Sequence, residues 1–374
     1  MNKAEFTQKR NSIIRQYYDG SIVQTNEITY GCYTLTSANL SNYISDMPPA
    51  KHQQVFAGLL THQRLSILEQ QADFVPGCSY SENLTDDQLQ LLKTQPSIIC
   101  TFHTGSYRII NSLLVQKNIS FSLVLGSSII AAEGESYLSL YKSLTKKNKN
   151  TGLTIIDAEN PNSGLQMIRE LKKGKSLLLY IDGNSGAGVS TIRNNNSCLI
   201  NFLNQQLFAR KGIGFLAHIT NVPVIPAISY RADWDDIRIK FYAPIYPNLQ
   251  ENRDRFAQKI TQKLYDILAP MINRYPEQWE AWLYLHKVAN IINPITPCRG
   301  RTSGTHVQFN LRDYGMFQID KRSFLFKKNN YTSYPIETSL YKKLRQCAEM
   351  PVNKTKIETA VLAELEENGV LHYL

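Results

Sequence analysis

The 374-residue chain carries 41 lysines and arginines against 31 aspartates and glutamates, a formal net charge of +10, with 43% hydrophobic and 19% charged residues. That balance excludes a disordered or low-complexity chain. It favours a globular protein with anionic partners: nucleic acid, membrane headgroups, acidic carrier proteins or phosphate-bearing cofactors.

Residues 1 to about 95 are polar and read as largely helical. Within them, NEITYGCYTLTS has the β-branched and aromatic content of a short strand. KHQQVFAGLLTHQRLSILEQQADF places Val55, Leu59, Leu60, Leu65 and Leu68 near helical spacing. TDDQLQLLKTQ opens on Thr85 as an N-cap, followed by two acids suited to the positive end of a helix. The opening MNKAEFTQKRNSIIRQYYDG lacks the apolar core of a signal peptide. No stretch approaches the ~18 uninterrupted apolar residues of a membrane span. The expectation is a soluble, cytoplasmic protein.

From Pro96 to about Ile292, strand-length apolar runs alternate with helical stretches. SIICTF, SFSLVLG, GLTIID and KSLLLYID read as strands; YRIINSLLVQKN, ESYLSLYKSLTKKN and NSGLQMIRELKKG read as helices between them. A helix in FARKGIGFLAHITN and strands in VPVIPAISY and DIRIKFYAPI follow, then a long amphipathic helix leading into RYPEQWEAWLYLH. Such alternation implies crossover connections and a mostly parallel sheet. After Asn293, PITPCRGRTSGTH reads as a linker. MFQIDKRSFLFKKNNYTSYPI then forms a hairpin or meander, followed by two helices, the second ending at Gly369. The expected organisation is a helical region packing on the core (1–95), an α/β domain (96–292), a linker (293–310) and a small winged-helix-like domain (311–374).

The six cysteines (Cys32, Cys78, Cys100, Cys198, Cys298 and Cys347) show no C-x-x-C spacing. Neither a zinc site nor a redox motif is visible, and free thiols are expected. The lysine-rich runs 142–149, 172–175 and 321–328 read as solvated faces.

In parallel sheets, ligands bind beyond the carboxyl ends of the strands. His103 stands there, after IICTF and before a helix. Thr104, Gly105 and Ser106 form a tight turn whose backbone N–H groups suit an oxyanion, and Ser106 and Tyr107 are candidate substrate-binding residues. The structural alternative is an ordinary histidine at a strand end. Asp182 ends a second apolar strand in YIDGNSGAG, followed by Gly183, Gly186 and Gly188. The lysine-serine ending of a P-loop and the order GxGxxG are both absent, which rejects a nucleotide fold on motif grounds; the bland reading is a flexible turn. Trp279 and Trp282, at i and i+3, read as one packed face of a helix.

His103 after its strand, IRELKKGKSLLLYIDGN, GFLAHITNVPVIPAISYR and YPEQWEAWLYLH together resemble the bacterial lipid A biosynthesis acyltransferases, within the wider lysophospholipid acyltransferases. The resemblance covers roughly residues 96–292. It implies acyl transfer to a hydroxyl from a thioester on carrier-protein phosphopantetheine or CoA, with no bound cofactor and no metal. His103 matches the family's base. Asp182 and Arg231 match positions lining the active site, and Arg169 matches a basic position before the third core strand. The basic surface then fits an acidic acyl or peptidyl carrier protein. The sequence departs from the family in two ways. The family's H-x-x-x-x-D/E pattern puts an acid at position 108, where this chain has Arg108, and its membrane-embedded N-terminal helix is missing, which favours a soluble acceptor, with a peripheral membrane lipid acyltransferase touching the membrane surface as an alternative.

Three consequences stay open. Another acid, Asp182, Glu133 or Glu135, serves His103. Or the acceptor is an amine needing less base assistance, with Arg108 holding a substrate carboxylate or phosphate. Or the site is inactive and the protein is a binding scaffold. The C-terminal segment resembles the small winged-helix PqqD-like domains, which implies peptide capture by strand addition. A structural cap is the alternative, and nucleic-acid binding is not expected, because Glu358, Glu364, Glu366 and Glu367 balance its basic residues.

Overall fold

The computed structural model of the chain describes residues 1–18, 21–24, 26–72, 80–145, 153–183, 195–294 and 303–374. Three helices come first: α1 (Lys3–Tyr17), α2 (Glu27–Tyr43) and α3 (Pro49–Ala72). The strand favoured by NEITYGCYTLTS is instead the start of α2. Asn26 caps this helix, accepting a hydrogen bond from the Thr29 N–H at 2.8 Å. Burial of Thr34, Thr36, Ser37, Ala38 and Leu40 outweighs the strand preference of the β-branched and aromatic residues. After β1 (Tyr80–Glu82), α4 (Asp86–Thr94) opens with the expected Thr85 cap, here a reciprocal capping box with Gln88.

The α/β alternation follows: β2 (Ile98–Thr101), α5 (Ile109–Gln116), β3 (Phe121–Leu125), α6 (Ser127–Thr145), β4 (Thr154–Asp157), α7 (Ser163–Lys172) and β5 (Ser176–Tyr180). Strands β6 (Ser197–Phe202) and β7 (Gln205–Arg210) precede α8 (Gly212–Thr220). FARKGIGFLAHITN is therefore part strand, part helix. Strands β8 (Val224–Asp233) and β9 (Asp236–Phe241) form an antiparallel pair, and α9 (Arg253–Arg274) closes this part of the chain.

One seven-stranded sheet runs in the order β1-β9-β8-β2-β5-β3-β4. β8, β2, β5, β3 and β4 are mutually parallel; β9 runs antiparallel to β8, with β1 parallel to β9. This is the mostly parallel α/β sheet expected. The central strands are buried on both faces, and Ile98, Ile99, Cys100, Leu177, Leu178, Val224 and Ile225 are fully inaccessible. Their continuous apolar runs follow from that double burial.

The remaining elements are β10 (Ala289–Asn290), β11 (His306–Phe309), β12 (Tyr314–Ile319), β13 (Arg322–Lys327), β14 (Thr332–Ile336), α10 (Thr338–Glu349), β15 (Val352–Asn353), α11 (Thr359–Glu367) and β16 (Leu371–Tyr373). The expected meander is the antiparallel sheet β12-β13-β14.

The chain forms two compact units. The first comprises residues 1–17, 58–202 and 207–281; the second comprises 18–57, 203–206 and 282–374. In the second, α2 lies against β12: Thr34 Oγ1 donates to the Met316 carbonyl at 3.0 Å, and Ala38 packs with Phe317 and Phe326. Lys328 does not belong to a solvated face. Its Nζ is buried and donates to Ser37 Oγ at 2.8 Å and the Leu311 carbonyl at 2.6 Å. Among the described residues no helix is long and apolar enough to cross a membrane.

Candidate active site

The site lies in the first unit, where the parallel register of β2 and β5 sets its geometry. Thr101 pairs with Tyr180, and the Ile181 N–H continues the ladder to the Thr101 carbonyl at 3.0 Å. Two residues beyond that pair stand His103 and Asp182, so side-by-side strands bring the imidazole and the carboxylate to one place. Asp182 accepts from the His103 backbone N–H at 3.1 and 3.0 Å through its two oxygens, and Oδ1 lies 2.8 Å from His103 Nδ1. A carboxylate accepts here, so Nδ1 carries the proton and Nε2 is left with its lone pair. The Trp279 indole N–H donates to Asp182 Oδ2 at 2.7 Å, fixing the carboxylate from its other side.

The His103 ring stacks on Tyr180, centroids 4.7 Å apart, and meets the edge of Tyr107 at 4.9 Å. Its side chain keeps 21% of its surface exposed, against 1% for Asp182. Burial disfavours the charged imidazolium. The charge and hydrogen bond of Asp182, aided by the charge of Glu280, outweigh it and raise the His103 pKa above 6.5. A histidine polarised by a buried carboxylate is equipped to take a proton and hold it during a reaction.

Arg108 is turned to a different task. From the N-cap of α5 its guanidinium donates to Gln70 Oε1 at 2.6 Å, to the Tyr137 hydroxyl at 3.0 Å and to both carboxylate oxygens of Glu133. Glu133 is therefore Arg108's partner, and Glu135 is exposed on α6. Of the three acids weighed from sequence, Asp182 alone contacts His103. The Nη atoms of the guanidinium are thus engaged by Glu133, Gln70 and Tyr137, while Nε is buried and without a partner among the described residues.

The other candidates divide. The Ser106 hydroxyl donates to Glu69 Oε2 at 2.6 Å. The same carboxylate receives Arg231 through Nη2 at 2.5 Å, and Arg231 Nη1 donates to His62 Nδ1 at 2.8 Å. Arg231 is 1% exposed, so it ties β8 to α3 rather than facing a ligand. Burial, then the charge of Arg231, holds His62 far below the usual histidine range. Tyr107 lies beside His103, whereas Arg169 is an exposed residue of α7 with no described link to His103.

Of the three turn amides expected to suit an oxyanion, those of Thr104 and Gly105 are engaged within the fold, as is that of His103 before them. The His103, Thr104 and Gly105 N–H groups are taken by Asp182, the Phe102 carbonyl at 2.9 Å and the Gln278 carbonyl at 2.9 Å. Gly105 adopts φ +54°, and a Cβ there would lie 2.7 Å from Tyr230 Cα and 2.8 Å from Gln278 Oε1. Of the glycine-rich loop, Gly183 is described; Gly186 and Gly188 lie outside the described residues, as do Cys78 and Cys298.

Trp279 and Trp282 do not share a helix face. Short 3-10 turns run through Pro276–Gln278 and Glu280–Leu283, Trp279 bonding Asp182 and Trp282 packing on Tyr43 in the second unit. Sequence reading also passes over Glu280 and the helical Glu69, His62 and Gln70, because nothing in a polar helix marks which residues reach a distant strand. Among the described residues, no group of three or more His, Cys, Asp or Glu is placed to hold a metal ion.

No curated protein matches the sequence significantly. Among solved structures, the chain is similar to the crystal structure of the 1-acyl-sn-glycerophosphate (LPA) acyltransferase PlsC from Thermotoga maritima. That similarity has 12% identity and a TM-score of 0.32, covering 70% of this chain and 97% of that one. Residues 90–287 match the family described as bacterial lipid A biosynthesis acyltransferase. Because that span exceeds half of the chain and contains both His103 and Asp182, the protein belongs to the bacterial lipid A biosynthesis acyltransferase family and is an enzyme that transfers acyl groups.

Proposed function

We propose that the protein moves an acyl group from a carrier-protein or CoA thioester to an amine or hydroxyl acceptor, with His103 as base and Asp182 as its acid partner. The hydrogen-bonded pair His103–Asp182 carries this reading. His103 Nε2 takes a proton from the acceptor as it attacks the thioester carbonyl. Asp182 holds the ring in the required tautomer and stabilises the imidazolium. When the intermediate collapses, the proton passes to the departing thiolate. Arg108 acts as a structural cation, bridging α5 to α6.

The net charge of +10 supports an acidic carrier protein as donor. The small antiparallel sheets after residue 303, in a segment that resembles peptide-capturing domains, support a place in specialised-metabolite or peptide acylation, where a carrier or peptide must be recruited. Incubation with an acyl carrier thioester and an acceptor mixture, read by mass spectrometry, tests the reading. Acylated product with the wild-type chain and loss of about 100-fold or more with His103→Ala are expected. Equal turnover by both proteins would sink it.

A further inference from the structure

Glu280 has no place in the dyad, yet the backbone holds it against the site. Its N–H donates to the His103 carbonyl at 3.0 Å, and Thr104 and Trp279 form an antiparallel bridge just before it. Its carboxylate is poorly satisfied. Oε1 is shielded from solvent and has no hydrogen-bond partner among the described residues, while Oε2 meets Gln63 Nε2 only at 3.4 Å. Burial raises the Glu280 pKa, with the charges of His103 and Arg108 and a hydrogen bond from the Tyr107 side chain pulling it back down. The nearby cation Arg108 is directed at Glu133, Gln70 and Tyr137. A shielded carboxylate oxygen that lacks a donor is unfavourable, and a ligand that brings a charged N–H relieves it.

We propose that Glu280 Oε1 receives the ammonium group of a primary-amine acceptor and presents that nitrogen to His103 Nε2. The proposal rests on the reading of His103 as the acyl-transfer base. The acceptor arrives as R–NH3+ and loses one proton through Glu280 to solvent, leaving a free amine. The amine lone pair forms the new C–N bond at the thioester carbonyl. The second N–H proton goes to His103 Nε2, the C–S bond breaks, and the thiolate takes that proton. The products are an amide, a thiol and one released proton. A hydroxyl acceptor brings no positive charge to a desolvated carboxylate, so an amine is the better complement.

Two measurements on the full chain test this with one set of probes: butyl-, hexyl- and decylamine and the matching alcohols, with an acyl-CoA donor. The first is the amide-to-ester ratio in competition. The wild-type protein should favour amide, and Glu280→Gln should lower the ratio about 100-fold, with partial recovery in Glu280→Asp. An unchanged ratio, or ester favoured by the wild type, overturns the proposal. The second is calorimetric binding of the amines at pH 7 without donor. Weaker binding by Glu280→Gln but not by His103→Ala supports it, even if turnover is absent and the base reading falls. Equal binding by wild type and Glu280→Gln overturns it, even if His103 is essential for transfer.

Discussion

Asp182 reaches His103 through two backbone contacts and one ring contact, so the carboxylate that orients the imidazole also pins its main chain. The raised His103 pKa has consequences of definite sign. Base catalysis needs the neutral ring, so kcat/KM should climb with pH through a limb above 6.5. Asp182→Asn should move that limb to lower pH and reduce kcat/KM roughly 100- to 10,000-fold, read from a pH–rate profile. The same shift affects stability. The pairing contributes fully below the unfolded histidine pKa and fades as pH rises through the folded one. Melting curves should therefore show Asp182→Asn more damaging at pH 5 than at pH 8. For Arg108→Glu, the expectation is loss of stability rather than a rebuilt dyad, since the new carboxylate would face Glu133. Breaking this partly buried pair should lower Tm, at a cost smaller than the ~3–5 kcal/mol of a fully buried pair. His103 and Asp182 were legible because both follow apolar strands. Glu280 was not, because PEQWEAW reads as aromatic packing until its backbone contact with His103 is seen.

Among the elements, the parallel register of β2 and β5 does the positioning, and strand-length apolar runs were enough to find both strands. Register itself is not written in such runs, since the residues along them are mostly apolar and buried on both faces. The misread element is α2, whose threonines, tyrosines and serines suit a strand when judged alone. Its burial against β12, about 280 residues later in the chain, decides the outcome, as the Thr34–Met316 bond shows. The turn after β2 is the most constrained connection. Gly105→Ala should strain a left-handed residue and press on Tyr230 and Gln278. A stability loss above about 1 kcal/mol is expected, with a larger fall in kcat, because the displaced turn carries His103. Denaturant unfolding alongside kinetics would show both.

On the scale of the whole molecule, alternating elements announce the α/β sheet, while the union of residues 18–57 with 282–374 is a non-local arrangement that no local pattern encodes. Lys328 in the second unit offers a probe of that arrangement. Burial lowers its pKa to about 7, with Asp313 opposing. The unfolded chain therefore binds more protons between pH 7 and about 10.4, and stability should rise with pH across that window. Lys328→Met should flatten the rise in thermal melts followed from pH 7 to 10. The central claim is narrower: Asp182, carried on β5, does the work expected of the family's acid at position 108. It is tested most directly by kcat/KM for acyl transfer in Asp182→Asn and Arg108→Met side by side. The account requires a loss of about 100-fold or more in Asp182→Asn and a clearly smaller loss in correctly folded Arg108→Met. Near-wild-type transfer by Asp182→Asn would contradict it.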